Sequence, residues 1–193
     1  MKNIVYKSMM IAAMAGFFIS SCEAELDVPP VDEFSPDNVL QTESGIQSLL
    51  YSAYRNDGIP IGSVKNEILI NEVTTDMSYV RIGAVEREMK PFIDFNWDAS
   101  HSFFEGPTWN TKYSAIRDAN TVLENIENVQ VDESQKTIFA AEARYIRAAQ
   151  YAYLYRYFGL VPLRTTTDQT IQPQELPLPS QEEFNNFIET ELV

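Results

Sequence analysis

This sequence predicts an all-α domain of helix pairs joined by long irregular loops, and three observations carry that prediction. Two stretches, residues 107–128 and 134–158, repeat apolar side chains at helical spacing over several turns. Only residues 129–133 separate them, a linker so short that the two must fold back as an antiparallel hairpin. Residues 42–56 and 180–192 show the same spacing beside capping residues.

The chain opens differently. Residues 1–21 carry Lys2 and Lys7, then an apolar run over residues 9–19, then Ser20-Ser21 before Cys22, the order of a secretory signal peptide. The run is about half of the ~20 residues that a membrane-spanning helix needs. Ile19-Ser20-Ser21-Cys22 resembles the bacterial lipobox, so Cys22, the one cysteine of the chain, is the expected lipidation site. With no second cysteine there is no intramolecular disulfide. Acyl chains on Cys22, at ~0.8 kcal/mol per buried methylene, would anchor the protein to a membrane without spanning it. Residues 22–34 read as the lipidated tether, extended around Pro29-Pro30, and residues 35–193 as the helical domain. Glu23 and Glu25 read equally well as a surface-export signal of Bacteroidetes lipoproteins or as part of an acidic linker.

The formal net charge is −14, and removing residues 1–21 leaves 12 Lys/Arg against 28 Asp/Glu. A field of that sign repels phosphate backbones and anionic lipid surfaces, which excludes nucleic acid as a partner and polybasic attachment to membranes.

A first helix is expected to start at Ser35-Pro36, and another at Thr42, with Ile46, Leu49, Leu50, Ala53 and Tyr54 on one face and an end near residues 56–58. A weaker segment at 66–74 carries Ile68, Leu69 and Val73, and Asp76 closes it. Residues 77–106 show no sustained helical period and are expected to form a long loop, the first place to look for a ligand surface. In the hairpin, Trp109, Tyr113, Ile116, Asn120, Leu123 and Ile126 share one face of the first helix, and Phe139, Ala143, Ile146, Ala149 and Tyr153 share one face of the second, which Gly159 closes. Alanines interleaved with tyrosines along residues 140–157 resemble tetratricopeptide helix pairs. After a Thr- and Pro-rich stretch, Ser180 and Glu183 form a capping-box pattern. The helix they open carries Phe184, Phe187, Ile188 and Leu192, and the chain stops on that apolar face. This suggests a missing partner helix and a truncated product, with an ordinary C-terminal helix as the alternative.

Several blocks together resemble the N-terminal portion of the SusD/RagB family. Cys22 followed by Leu26-Asp27-Val28-Pro29-Pro30 looks like its opening. Thr42-Glu43, Gly45, Leu49-Leu50 and Ala53-Tyr54 look like its first long helix. Trp109, Tyr113, Ile116, Ala119-Asn120 and Leu123 match its W-x-x-x-Y-x-x-I-x-x-A-N run. Most specific is the stretch Ala141-Glu142-Ala143-Arg144-Tyr145-Ile146-Arg147-Ala148, continued by Phe158-Gly159 and Val161-Pro162-Leu163. Leu160 and Leu178-Pro179-Ser180 depart from the family pattern. The resemblance implies a tetratricopeptide-like fold on the outer-membrane surface. Its partners would be a TonB-dependent (SusC-like) transporter and an oligosaccharide or peptide ligand. It implies no catalysis.

Within that frame the ligand candidates are Asp76, Tyr79, Arg81 and Trp97, because the segment after Asp76 is where such proteins place recognition loops. Tyr79 and Trp97 could stack on a sugar, and Arg81 could donate paired hydrogen bonds to hydroxyls. The competing reading of Trp97 is a core residue, favoured still more for Trp109, which shares a face with Tyr113 and Ile116. Arg144 and Arg147 are expected to pair with acidic residues such as Glu142 or with helix-end carbonyls rather than with ligand. No catalytic motif, cofactor motif or metal-ligand spacing is present, so the chain is expected not to be an enzyme. A glycoside hydrolase and a truncated scaffold without ligand activity are the alternatives to a nutrient-binding module.

Overall fold

The computed structural model describes residues 39–56, 70–78, 83–98, 100–101, 108–168 and 176–193. Five α-helices lie within them: α1 (Glu43–Asn56), α2 (Ala84–Ile93), α3 (Thr111–Asn125), α4 (Glu133–Phe158) and α5 (Gln181–Leu192). No strand occurs among the described residues, in keeping with the all-α expectation. The proposed signal, Cys22, the tether and the helix start at Ser35-Pro36 lie outside them.

Thr42 caps α1 as its position suggests: its Oγ1 accepts a hydrogen bond from the Gly45 amide at 3.1 Å and donates to the Val39 carbonyl at 2.9 Å. This tight turn explains Gly45, since a Cβ there would lie 1.8 Å from the Val39 carbonyl oxygen. Ile46, Leu50 and Ala53 then face inward, and Leu49 and Tyr54 pack against the same cluster.

The hairpin forms as expected. A single 3₁₀ turn, Ile126–Asn128, ends α3, and Asp132 caps α4 by accepting from the Gln135 amide at 2.8 Å. Gly159, with φ of 72°, closes α4 while its amide donates to the Tyr155 carbonyl. Ala115, Ala119 and Ala143 are fully buried, so the backbones of the pair approach closely. Helix α3 sits between α1 and α4, which explains why it buries residues on both sides, Asp118 and Val122 as well as Ile116 and Asn120. Asp118 is satisfied there: it accepts from Ser52 Oγ at 2.7 Å and Asn56 Nδ2 at 3.3 Å, both on α1, and from Arg117.

The Thr-rich segment after α4 is held down by side chains from the hairpin. Tyr113 Oη donates to the Pro162 carbonyl at 2.8 Å, and Asn120 Nδ2 donates to the carbonyls of Arg164 and Thr166. Tyr151, fully buried, bonds the backbone of Arg164 through its hydroxyl. Ser180 and Glu183 make both bonds of the expected capping box, and α5 lays Phe184, Phe187 and Ile188 on Tyr151 and its neighbours. Trp109 meets Phe158 edge-on at 5.0 Å within this cluster, the core position expected for it.

Arg147 is paired, but not with Glu142. Its guanidinium grips Glu191 of α5 with two bonds of 2.7 Å and donates a third, also 2.7 Å, to Asn120 Oδ1. The partner is 44 residues away, supplied by a helix whose docking local spacing does not reveal. All three side chains are buried or nearly so.

The expectation of an unbroken loop over residues 77–106 is overturned, because α2 runs through it. Val85, Met89, Phe92 and Ile93 stand at helical spacing, but the run covers fewer than three turns and Pro91 lies inside its last turn, so the segment reads as interrupted. What holds this helix is tertiary packing on Ile70 and Val73 with Ile93 and Tyr157. Ile70 and Val73 belong to a helical turn at residues 70–73, the described end of the weaker expected segment.

Burial raises the pKa of Tyr113 and Tyr151 above the ordinary value of 10.0. A phenol with a raised pKa in the fold ionises first in the unfolded chain. The stabilisation is therefore complete below ~pH 10 and is lost as pH rises toward the folded values. Melting followed from neutral pH upward is expected to show stability falling above ~pH 10. The fall should be shallower when both residues are Phe; equal slopes in the two proteins would contradict this.

Candidate functional site

The most distinctive exposed feature is the turn that follows α2. Phe95 carries a φ of 53°, a left-handed conformation that is rare for a bulky side chain and costs of order 1–3 kcal/mol. The hydrogen bonds show why the chain adopts it. The Asn96 amide donates back to the Pro91 carbonyl at 2.9 Å and the Phe95 amide to the Phe92 carbonyl at 3.4 Å. This is the Schellman closure of a helix, which demands a left-handed residue at position 95 and usually receives glycine there.

The reversal lays three aromatic rings together. Trp97 stacks on the buried Phe92 with centroids 5.3 Å apart, and Phe95 lies 5.8 Å from Trp97 at 44°. His101 meets Phe92 edge-on from another side at 4.8 Å. Phe92 thus anchors the group in the core while Phe95 stays 67% and Trp97 39% exposed. Trp97 is therefore neither a core residue nor a free one: one face is supported and a large part is open.

Polar groups alternate with these rings. Lys90 pairs with Asp94 one turn on at 2.5 Å, an exposed pair that contributes little stability. Asp98 accepts from the amide and hydroxyl of Ser100, at 2.8 and 2.6 Å, and those bonds hold its carboxyl below the usual range. The turn thus alternates Asp94, Asn96 and Asp98 with Phe95 and Trp97, so hydrogen-bonding groups flank the rings in sequence.

Helix α4 braces the site from beneath. Tyr157 joins the apolar cluster of Ile70, Val73, Met89 and Phe92 and exchanges hydrogen bonds with Asn71 at 3.0 and 3.2 Å. Residues 70–77 and the aromatic turn are thereby tied to one cluster. Asp76 is exposed at the end of the first segment, followed by Met77, 82% exposed. Tyr79 and Arg81, the other two candidates, lie outside the described residues. Phe92, Phe95 and His101 were not singled out by sequence reasoning, although the aromatic spacing of Phe92, Phe95 and Trp97 was the available signal.

Arg144 lines a separate cleft of about 430 Å³ between α4 and the end of α5, with Lys136, Tyr145 and Glu191. Two of its other charges are engaged: Lys136 binds Glu133 and the Glu127 carbonyl, and Glu191 binds Arg147. Among the described residues no group of three or more His, Cys, Asp or Glu could hold a metal ion. No described helix is long and apolar enough to cross a membrane.

Comparison with known proteins gives this architecture a family. A family model described as SusD-like, starch-binding and associating with the outer membrane, matches residues 26–179. A SusD-like protein of Bacteroides ovatus is 24% identical over 96% of this chain and 33% of its own length. One from Formosa agariphila is 27% identical over 88% of this chain and 32% of its own. The crystal structure of a SusD-like protein from Bacteroides fragilis superposes with a TM-score of 0.62 at 20% identity, over 84% of this chain and 31% of that one. The chain thus spans about one third of the length of these curated relatives. With its family model covering most of the sequence and the helical fold shared, this chain belongs to the SusD-like family.

Proposed function

We propose that the chain acts as the N-terminal part of a surface lipoprotein that binds an oligosaccharide and passes it to a TonB-dependent outer-membrane transporter. The observation that carries this reading is the aromatic turn. Supported, partly exposed rings between carboxylates and an amide match the two chemistries of a pyranose, apolar C–H faces and a hydroxyl rim. Trp97 is the principal stacking residue, and Asp76, Tyr79 and Arg81 are its proposed companions. A peptide is the second ligand class that such a surface admits. The role is binding and not catalysis. Residues 1–21 serve as the signal peptide, and lipid on Cys22 followed by the tether to residue 34 anchors the domain.

Two experiments test this reading. On glycan and peptide arrays the chain is expected to bind oligosaccharides, and Trp97→Ala to weaken binding by ~10-fold or more with little change in melting temperature. Tyr79→Ala and Arg81→Ala should each weaken it as well. Absence of binding to every probe would instead favour a scaffold without ligand activity. For the anchor, a palmitate analogue fed to expressing cells should label the protein, and Cys22→Ala should abolish both labelling and membrane retention. Persistent labelling of the alanine variant would refute lipidation at Cys22.

A further inference from the structure

We propose that Phe95 is a positioning residue for this surface, propping Trp97 against Phe92 and adding a second exposed ring beside it. The inference rests on the ligand-binding reading of the turn. A left-handed closure is needed at position 95 for the two amide bonds to Pro91 and Phe92, and glycine would supply it without strain. The chain instead places there a large ring that gains little from burial, being 67% exposed. Strain of this kind persists where surrounding structure over-determines it, and it concentrates at ligand sites.

What the ring touches gives it a use. Trp97 has Phe92 stacked at 5.3 Å with an interplanar angle of 30°, and Phe95 tilted at 5.8 Å and 44°. The indole is therefore held between a buried ring and an exposed one. Residues 95 and 97 come from a reversed chain, so the left-handed turn itself aims both rings. Without the ring of Phe95 the indole keeps one ring support, Phe92, and can swing.

The test uses the full-length chain in detergent with Trp109→Phe, which leaves Trp97 as the sole tryptophan of the two in the sequence. Phe95→Ala, Phe95→Gly and Phe95→Tyr are compared by acrylamide quenching of Trp97, by melting, and by binding of maltohexaose, a probe chosen from the family's starch-binding description. Quenching should rise in the Ala and Gly variants and return to the starting value in Tyr. Phe95→Gly should melt ~2–4 °C above Phe95→Ala, because both lack the ring and only glycine relieves the backbone. Maltohexaose affinity should fall ~5- to 10-fold in Ala and Gly and be kept in Tyr. Unchanged quenching in Phe95→Ala, or a glycine variant melting no higher than alanine, would overturn the positioning role. Undiminished binding by Phe95→Ala alongside loss in Trp97→Ala would overturn the second ring. If the parent protein fails to bind maltohexaose, the starch-oligosaccharide reading fails, while quenching and melting still decide whether Phe95 positions Trp97.

Discussion

Glu191→Ala should destabilise the protein by about 3–5 kcal/mol, the range expected when one partner of a buried ion pair is removed. The alanine leaves the Arg147 guanidinium buried with only Asn120 and the Thr165 carbonyl as acceptors, after losing two bonds of 2.7 Å. The penalty is that of an uncompensated charge in a site where the side chains of both partners are under 10% exposed. For a chain of 193 residues, a loss of this size lowers the melting temperature by roughly 10 °C. Replacing both partners, Arg147→Met with Glu191→Leu, should recover most of it, since no charge is then stranded. Equal instability of the single and double variants would show that the helix docking, and not the charge, is what the substitution damages.

Tyr151→Ala should cost about as much, ~3–5 kcal/mol, by a different route. Tyr151 is fully buried where α3, α4 and α5 meet: its ring contacts Tyr113, Phe184 and Phe187 edge-on, with centroids 6.3, 6.4 and 5.3 Å away. Truncation opens a cavity among rings that cannot collapse into it. Tyr151→Phe keeps the ring and loses only the hydroxyl bonds to the Arg164 backbone, so a smaller loss of ~1–2 kcal/mol is expected. Thermal or urea melts of the two variants measure the split. A phenylalanine variant as unstable as alanine would assign the whole effect to the strap over residues 161–168.

The parts of this fold legible in the sequence are those written locally. Ser180 and Glu183 announce a capping box, Gly159 a helix end, and the short link at 129–133 an antiparallel hairpin, because each signal is completed within a few residues. The grip of Arg147 on Glu191 and Asn120 was not legible, since it depends on a helix arriving from 44 residues away. Helix α2 is harder to read: Val85, Met89, Phe92 and Ile93 keep helical spacing, but over only 10 residues and with Pro91 near the end, where a proline marks a helix boundary. At the site, Trp97 was visible as a residue type, but its half-supported state was not. That state comes from the left-handed turn at Phe95, a position where neither glycine nor asparagine stood to advertise it. Residues 118 and 147 show the converse, polar groups on otherwise apolar helices whose purpose becomes clear only when their partners on neighbouring helices are in place.

On the proposed reading, ligand meets the aromatic turn after α2. The most direct test of that reading is a titration of the Trp109→Phe protein, in which Trp97 alone reports, with the oligosaccharide that binds most tightly on the array. A saturable change in Trp97 emission, with the same midpoint as binding measured by calorimetry, is the predicted result. Calorimetric binding that leaves Trp97 emission unchanged, and that survives Trp97→Ala at full strength, would contradict it.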